Sequence, residues 1–319
     1  MDKFLLVFAA KYRYSQLNSC LRYFKSGNMI IFSTKSYFVF KFLFFFFKNK
    51  TVPIFCDGKT IKGKYKKFYH LWFNTVNEIE NDRIKDDKDL FLCLDPKKEN
   101  NLFLLTPKLK TSFILKLNSN SKIIYISEVN IKVNSNVDKF WLKNRDEILQ
   151  SLDLINDVSY LKNIFFDGNE QGYINYMQLK NLLRYELINL VNKYFKKNLF
   201  LVGKDWKNLG FNSKVVQYNT NFRKKSYVNS ICLDFGAKSG SNSLYPRTIE
   251  ILENKGYLLQ AQQIDSAIIK KDIPDNYDTF KSSNELLEKL NSLLKSHKEI
   301  KINNYNNLSN KFTNFLKKI

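Results

Sequence analysis

Arg247 and Glu250 stand one helical turn apart within residues 230–266, SICLDFGAKSGSNSLYPRTIEILENKGYLLQAQQIDS. A guanidinium in the first turn of a helix grips phosphate oxygens in bidentate fashion. A carboxylate three positions later shares its face and accepts hydrogen bonds from both hydroxyls of a ribose. The residues before the pair supply its setting. Ile231, Cys232 and Leu233 form the short apolar run of a strand covered on both faces. Gly236 ends that run and opens a loop carrying Gly240, Ser241, Asn242 and Ser243, and Pro246 suits the first turn of a helix. The helix is expected to stop at Gly256 in a left-handed cap, before an apolar strand at 257–259. A helix N-terminus with free N–H groups then meets the carboxyl end of a strand, a seat for phosphate or diphosphate. Lys204, just past a strand at 198–202, is a further expected phosphate contact. The competing readings are an ordinary surface Arg–Glu pair and a solvated turn lysine.

The elements that position these residues alternate between strand and helix. Residues 3–9 and 29–32 read as strands around a helix at 15–24, the start of a βαβ series. The loop after the first strand, AAKYRYS, holds no glycine, so a dinucleotide fingerprint is absent there. The apolar run at 4–10 also has the form of a short signal-peptide core, but a buried first strand is the more economical reading. Further strand-like runs lie at 52–56, 90–94, 102–105 and 122–127, and 138–154 is helix-like. A domain boundary is expected near Asp157. Beyond it come a strand at 163–166, a long helix at 176–195 containing Arg184, and a short helix at 221–229. Ser282-Ser283-Asn284-Glu285 is a capping box, and Leu286, Leu287, Leu290, Leu293 and Leu294 form the packing stripe of the helix it opens.

Residues 37–47, YFVFKFLFFFF, are the most apolar segment, and residues 35–67 hold nine lysines against the single acid Asp57. One reading is a core helix followed by a solvated basic loop. The other is a helix lying in the interface of an anionic membrane. Periodicity does not separate them. No uninterrupted apolar run reaches the roughly 18 residues that a membrane-spanning helix requires.

Net charge is +22 at pH 7, a field attractive to nucleotide phosphates, nucleic acid or anionic lipid. Lys, Asn, Ile, Phe and Tyr are abundant together and the lysines are spread along the chain, which weakens that inference. Cys20, Cys56, Cys93 and Cys232 show neither zinc nor disulfide spacing, so a reducing compartment is expected. With only His70 and His297, a histidine metal site is effectively excluded. Asp87-Lys88-Asp89 has the Asp-x-Asp form that can hold a metal and a diphosphate, with a solvated charged face as the commoner reading.

The segment RTIEILENKGYLL resembles the donor-site segment of GT-B glycosyltransferases of the spore-maturation-protein type. There, an Arg-x-x-Glu helix precedes a glycine and an apolar strand. Residues 265–299 are similar to the tail that closes the nucleotide-binding domain of that family, and the resemblance spans about residues 162–299. It implies an α/β protein with two Rossmann-like domains facing across a cleft. An N-terminal acceptor-side domain would span 1–157 and a C-terminal nucleotide-sugar-binding domain 158–319, with a last helix crossing back. It places Arg247 at the donor phosphates and Glu250 at the donor ribose. The second glutamate of many GT-B enzymes is replaced here by Asn242, which removes the sugar-facing half of the usual pair.

The leading expectation is a glycosyltransferase moving a sugar from a nucleotide-sugar donor to a glycan or lipid-linked acceptor. It needs no metal or cofactor, and loop amides at 241–243, Arg247 and Lys204 would stabilise the leaving diphosphate. A general base would come from the N-terminal half, where Asp57, His70 and Glu128 lie near strand ends or loops. A cytoplasmic location is expected, with peripheral contact to the inner membrane face through 35–67, and no nucleic-acid partner. The alternatives are a basic module binding nucleic acid or another polyanion, and a degenerate transferase that binds nucleotide without turnover.

Overall fold

The computed structural model describes residues 3–8, 29–34, 36–47, 51–56, 69–72, 89–91, 111–127, 129–157, 160–161, 170–203, 206–211, 214–216, 220–236, 246–263, 266, 270 and 275–303. The expected helix at 15–24, the strands at 102–105 and 163–166, and the last helix lie outside these residues. The chain divides into one unit of Met1–Lys108, Leu244–Pro246 and Asn306–Ile319, and another of Leu109–Ser243 and Arg247–Tyr305.

In the first unit the β-branched and aromatic runs pair as strands: β1 (Lys3–Phe8), β2 (Met29–Thr34), β3 (Thr51–Cys56), β4 (Tyr69–Trp72) and β5 (Asp89–Phe91). They form a Rossmann-like parallel sheet in the order β2-β1-β3-β4-β5, whose direction of growth reverses between β1 and β3. Helix α1 (Tyr37–Phe47) makes the crossover from β2 to β3 and packs on β1, β2 and β3. Its start is fixed by Ser36, whose Oγ accepts from Val39 N at 3.4 Å and whose own N–H donates to Thr34 Oγ1 at 3.0 Å.

The second unit runs β6 (Phe113–Lys116), β7 (Ile123–Ile126), α2 (Ser135–Gln150), a 3-10 helix (Leu152–Asn156), α3 (Glu170–Phe195) and β8 (Leu199–Val202). It continues through β9 (Lys214–Val216), α4 (Thr220–Tyr227), β10 (Ile231–Asp234), α5 (Pro246–Glu253) and β11 (Tyr257–Ala261). It ends with β12 (Tyr277–Phe280), α6 (Ser283–Lys295) and β13 (Glu299–Ile302). Six strands form a wholly parallel sheet in the order β12-β11-β10-β7-β8-β9. Counted from its first strand, β7, this is the doubly wound order 3-2-1-4-5-6. β13 pairs antiparallel with β6 as a separate two-stranded sheet.

This topology moves the boundary expected near Asp157. Strand β7 sits at the centre of the six-stranded sheet, between β10 and β8, so residues 109–157 belong with the second unit. Compositional breaks in the chain do not report which strand a run pairs with.

Residues of β7, β10 and β11 are buried without alternation, as a parallel sheet covered on both faces requires. Ile123, Tyr125, Leu233 and Leu259 share one core with Phe140 of α2, Leu187 of α3 and Leu290 of α6. Alternate positions Ile124, Cys232 and Leu258 are equally buried. Gly256 is not the left-handed cap of α5; Lys255 takes that conformation, with φ 63°. Gly256 is required instead by close packing, since a Cβ there would lie 2.9 Å from Ile251 Cγ2 and 3.1 Å from Cys232 Sγ.

Helix α6 starts at the predicted cap, where Ser282 Oγ accepts from Glu285 N at 3.2 Å, but Glu285 Oε2 reaches past the cap to accept from Lys281 N at 2.7 Å. Leu286, Leu290, Leu293 and Leu294 are buried and Leu287 is half-buried. Ser282→Ala is expected to lower stability by about 1 kcal/mol. Leu290→Ala, which opens a cavity under the sheet, is expected to cost roughly 2–5 kcal/mol. Urea unfolding midpoints of the two variants check this order.

A candidate anion site at the switch of the second sheet

Strands buried on both faces have no room for polar side chains except at their ends. Asp234 is the last residue of β10 and Gln260 stands beside it in β11, in direct register. Gln260 Nε2 donates to Asp234 Oδ2 at 2.6 Å, and the same oxygen accepts from Gly236 N at 3.2 Å. The Tyr277 hydroxyl of β12 donates to Gln260 Oε1 at 3.0 Å and lies 3.5 Å from Ser266 Oγ. A buried polar chain therefore runs across three neighbouring strands. Gly236, at φ 82°, turns the backbone out of β10, and a Cβ there would meet Gln263 Oε1 at 2.9 Å.

Two cations face this edge from α3. Lys180 and Arg184 lie at i and i+4 and are 2 % and 3 % exposed. Arg184 Nη2 donates to Gly236 O at 2.5 Å, while its Nη1 is buried without a hydrogen bond. Burial, reinforced by the neighbouring Arg184 charge and only partly offset by Asp234, pushes the Lys180 ammonium down to about 7. The buried Tyr125 hydroxyl, at the end of β7, lies within the fields of Arg184, Asp234 and Arg247 and is held above its usual range mainly by desolvation. One short edge of the sheet thus collects three cationic side chains.

Arg247 and Glu250 are not a surface pair. Glu250 is buried, and half-buried Arg247 donates from Nη1 to Ile126 O, the last carbonyl of β7, at 2.5 Å. Helix α5 follows β10, so this bond ties the next helix to the neighbouring strand across the point where the sheet reverses. On the other side of β7, Trp206 Nε1 donates to Ser127 O at 2.7 Å. Gly203, at φ 147°, passes so close that a Cβ would lie 2.7 Å from the same oxygen.

Lys204, Gly240, Ser241, Asn242 and Ser243 lie outside the described residues, as do Asp57, Asp87 and Glu128. His70 is in β4, opposite Phe55 and Asp89 in register, and Asp89 is the first residue of β5. His297 is an exposed residue at φ 41° between α6 and β13. Among the described residues, no three His, Cys, Asp or Glu side chains are grouped to hold a metal ion. Cys232 is buried, and desolvation raises its thiol well above the usual range.

Sequence reasoning passed over Lys180, Asp234, Gln260 and Tyr125. The signal was present as polar residues closing apolar strands and two cations spaced i, i+4 within a leucine-rich helix. No protein-family model matches the chain, and no curated protein matches it.

At Lys180 the folded state holds fewer protons than the unfolded state between about 7 and the ordinary lysine value of about 10.4, so stability rises with pH across that window. Lys180→Met, which keeps the packing and removes the charge, is expected to stabilise the protein at pH 6 and to flatten its pH dependence above 7. Urea midpoints of both proteins from pH 6 to pH 9 measure the difference.

Proposed function

We propose that the chain is a nucleotide-sugar-dependent glycosyltransferase of GT-B form. In this reading the first unit binds a glycan or lipid-linked acceptor and the second binds the donor. The supporting observation is that Arg247, Arg184 and Lys180 gather at the carboxyl ends of the paired strands β7 and β10, where the strand order reverses and where doubly wound sheets take their ligands. Arg247 would grip the donor diphosphate and Glu250 the ribose, as the Arg-x-x-Glu resemblance implies. The Gly240–Ser243 amides and Lys204 would complete the anion seat, and the preorganised positive charge would stabilise the leaving nucleoside diphosphate without a metal. Lys180 adds a proton-linked element. Arrival of a phosphate opposes the desolvation that neutralises the amine, so diphosphate binding would draw a proton onto it.

Thermal unfolding with a panel of nucleoside diphosphates and nucleotide sugars tests this reading. A matching nucleotide at a hundredfold its Kd stabilises by about 2.7 kcal/mol. Arg247→Ala is expected to remove the shift and Arg247→Lys to keep part of it. The shift should survive a chelator. If no nucleotide shifts the transition while single-stranded DNA binds with a steep salt dependence, the protein is a basic binding module instead. Stabilisation without hydrolysis or transfer would mark a nucleotide-binding protein lacking turnover, the reading that Asn242 favours.

A further inference from the structure

Helix α1 turns its phenylalanines the wrong way for a soluble domain. Phe38, Phe42, Phe45 and Phe46, spaced i, i+4, i+7 and i+8, share one face and are 79 %, 55 %, 78 % and 61 % exposed. The opposite face, led by fully buried Phe40, is the one that packs on the sheet. The outward rings lie against each other, Phe42 and Phe46 with centroids 4.7 Å apart and Phe45 edge-on to Phe46 at 5.6 Å. A contiguous exposed apolar patch is a candidate interaction surface.

We propose that this face is an interfacial anchor that seats the first unit on an anionic lipid bilayer. Eleven residues make a helix of about 16 Å, half the roughly 30 Å hydrocarbon core, so α1 lies in the interface and does not cross. Charge complementarity selects the occupant. Lys41 is exposed at the edge of the aromatic face with Nζ 4.6 Å over the Tyr37 ring, and its long stem lets the ammonium reach the headgroups. Lys35, Lys48 and Lys50 flank the helix, within a stretch of nine lysines and one acid. The same charges oppose a second copy, which would bring two lysine-rich borders together on chains of net charge +22. The proposal is independent of nucleotide binding.

Co-sedimentation of the full chain with phosphatidylserine–phosphatidylcholine vesicles tests it, with phosphatidylcholine vesicles as the comparison. Binding is expected to the anionic vesicles and to weaken with added salt. Changing Phe38 and Phe45 together to Ser should lower partitioning by roughly tenfold or more, with an unchanged thermal midpoint because both side chains are exposed. Tyr194→Ser, an exposed aromatic on α3, should leave binding unaltered. The proposal fails if the anionic vesicles do not sediment the protein or if the double variant binds as well as the parent. It also fails if light scattering finds a dimer that the double variant dissolves while neither protein binds vesicles.

Discussion

Strand β7 pairs along one edge with β8 and along the other with β10, so the two halves of the second sheet grow away from it in opposite directions. Parallel crossovers share one hand, which sends the helices of the two halves to opposite faces. The carboxyl ends of β7 and β10 lie side by side at that reversal. Everything distinctive about the second unit sits at that edge. Asp234 ends β10 there with Gln260 in register beside it, Arg247 reaches the last carbonyl of β7, and Arg184 holds the backbone just past β10.

The electrostatics of the edge follow from the helix above it. Residues 179–184 of α3 are buried on every side, so Lys180 and Arg184 sit where water is scarce. A buried cation is tolerated when its charge is answered or surrendered. Arg184 donates to the Gly236 carbonyl and keeps one nitrogen unsatisfied, whereas burial pushes the Lys180 ammonium down to about 7. Burying two basic side chains in this way costs stability.

The two units use amphipathic helices in opposite senses. Helix α6 buries its leucine stripe beneath the sheet and leaves charge outside. Helix α1 buries Phe40 and presents most of its phenylalanines outward. Both segments have apolar residues at helical spacing. The difference lies in what covers each face, and only the packed chain specifies that.

Local signals in the sequence carried the elements whose cause is local. Pro246 opens α5, Ser282 and Glu285 cap α6, residues 37–47 form one helix, and the unbroken apolar runs at Ile231 and Tyr257 are doubly buried strands. These features depend on neighbours within a few residues, where φ preference, capping and periodicity act. Tertiary structure alone decided that β7 joins β10 and moves the boundary from Asp157, and that Gly256 is needed for its missing Cβ and not for its φ. It also brought Lys180 and Arg184 to the strand end that Arg247 reaches from α5. The physical reason is common to all three: strand pairing, close approach and desolvation are set by residues distant in the chain, and sequence periodicity records only which face is apolar, not what it meets.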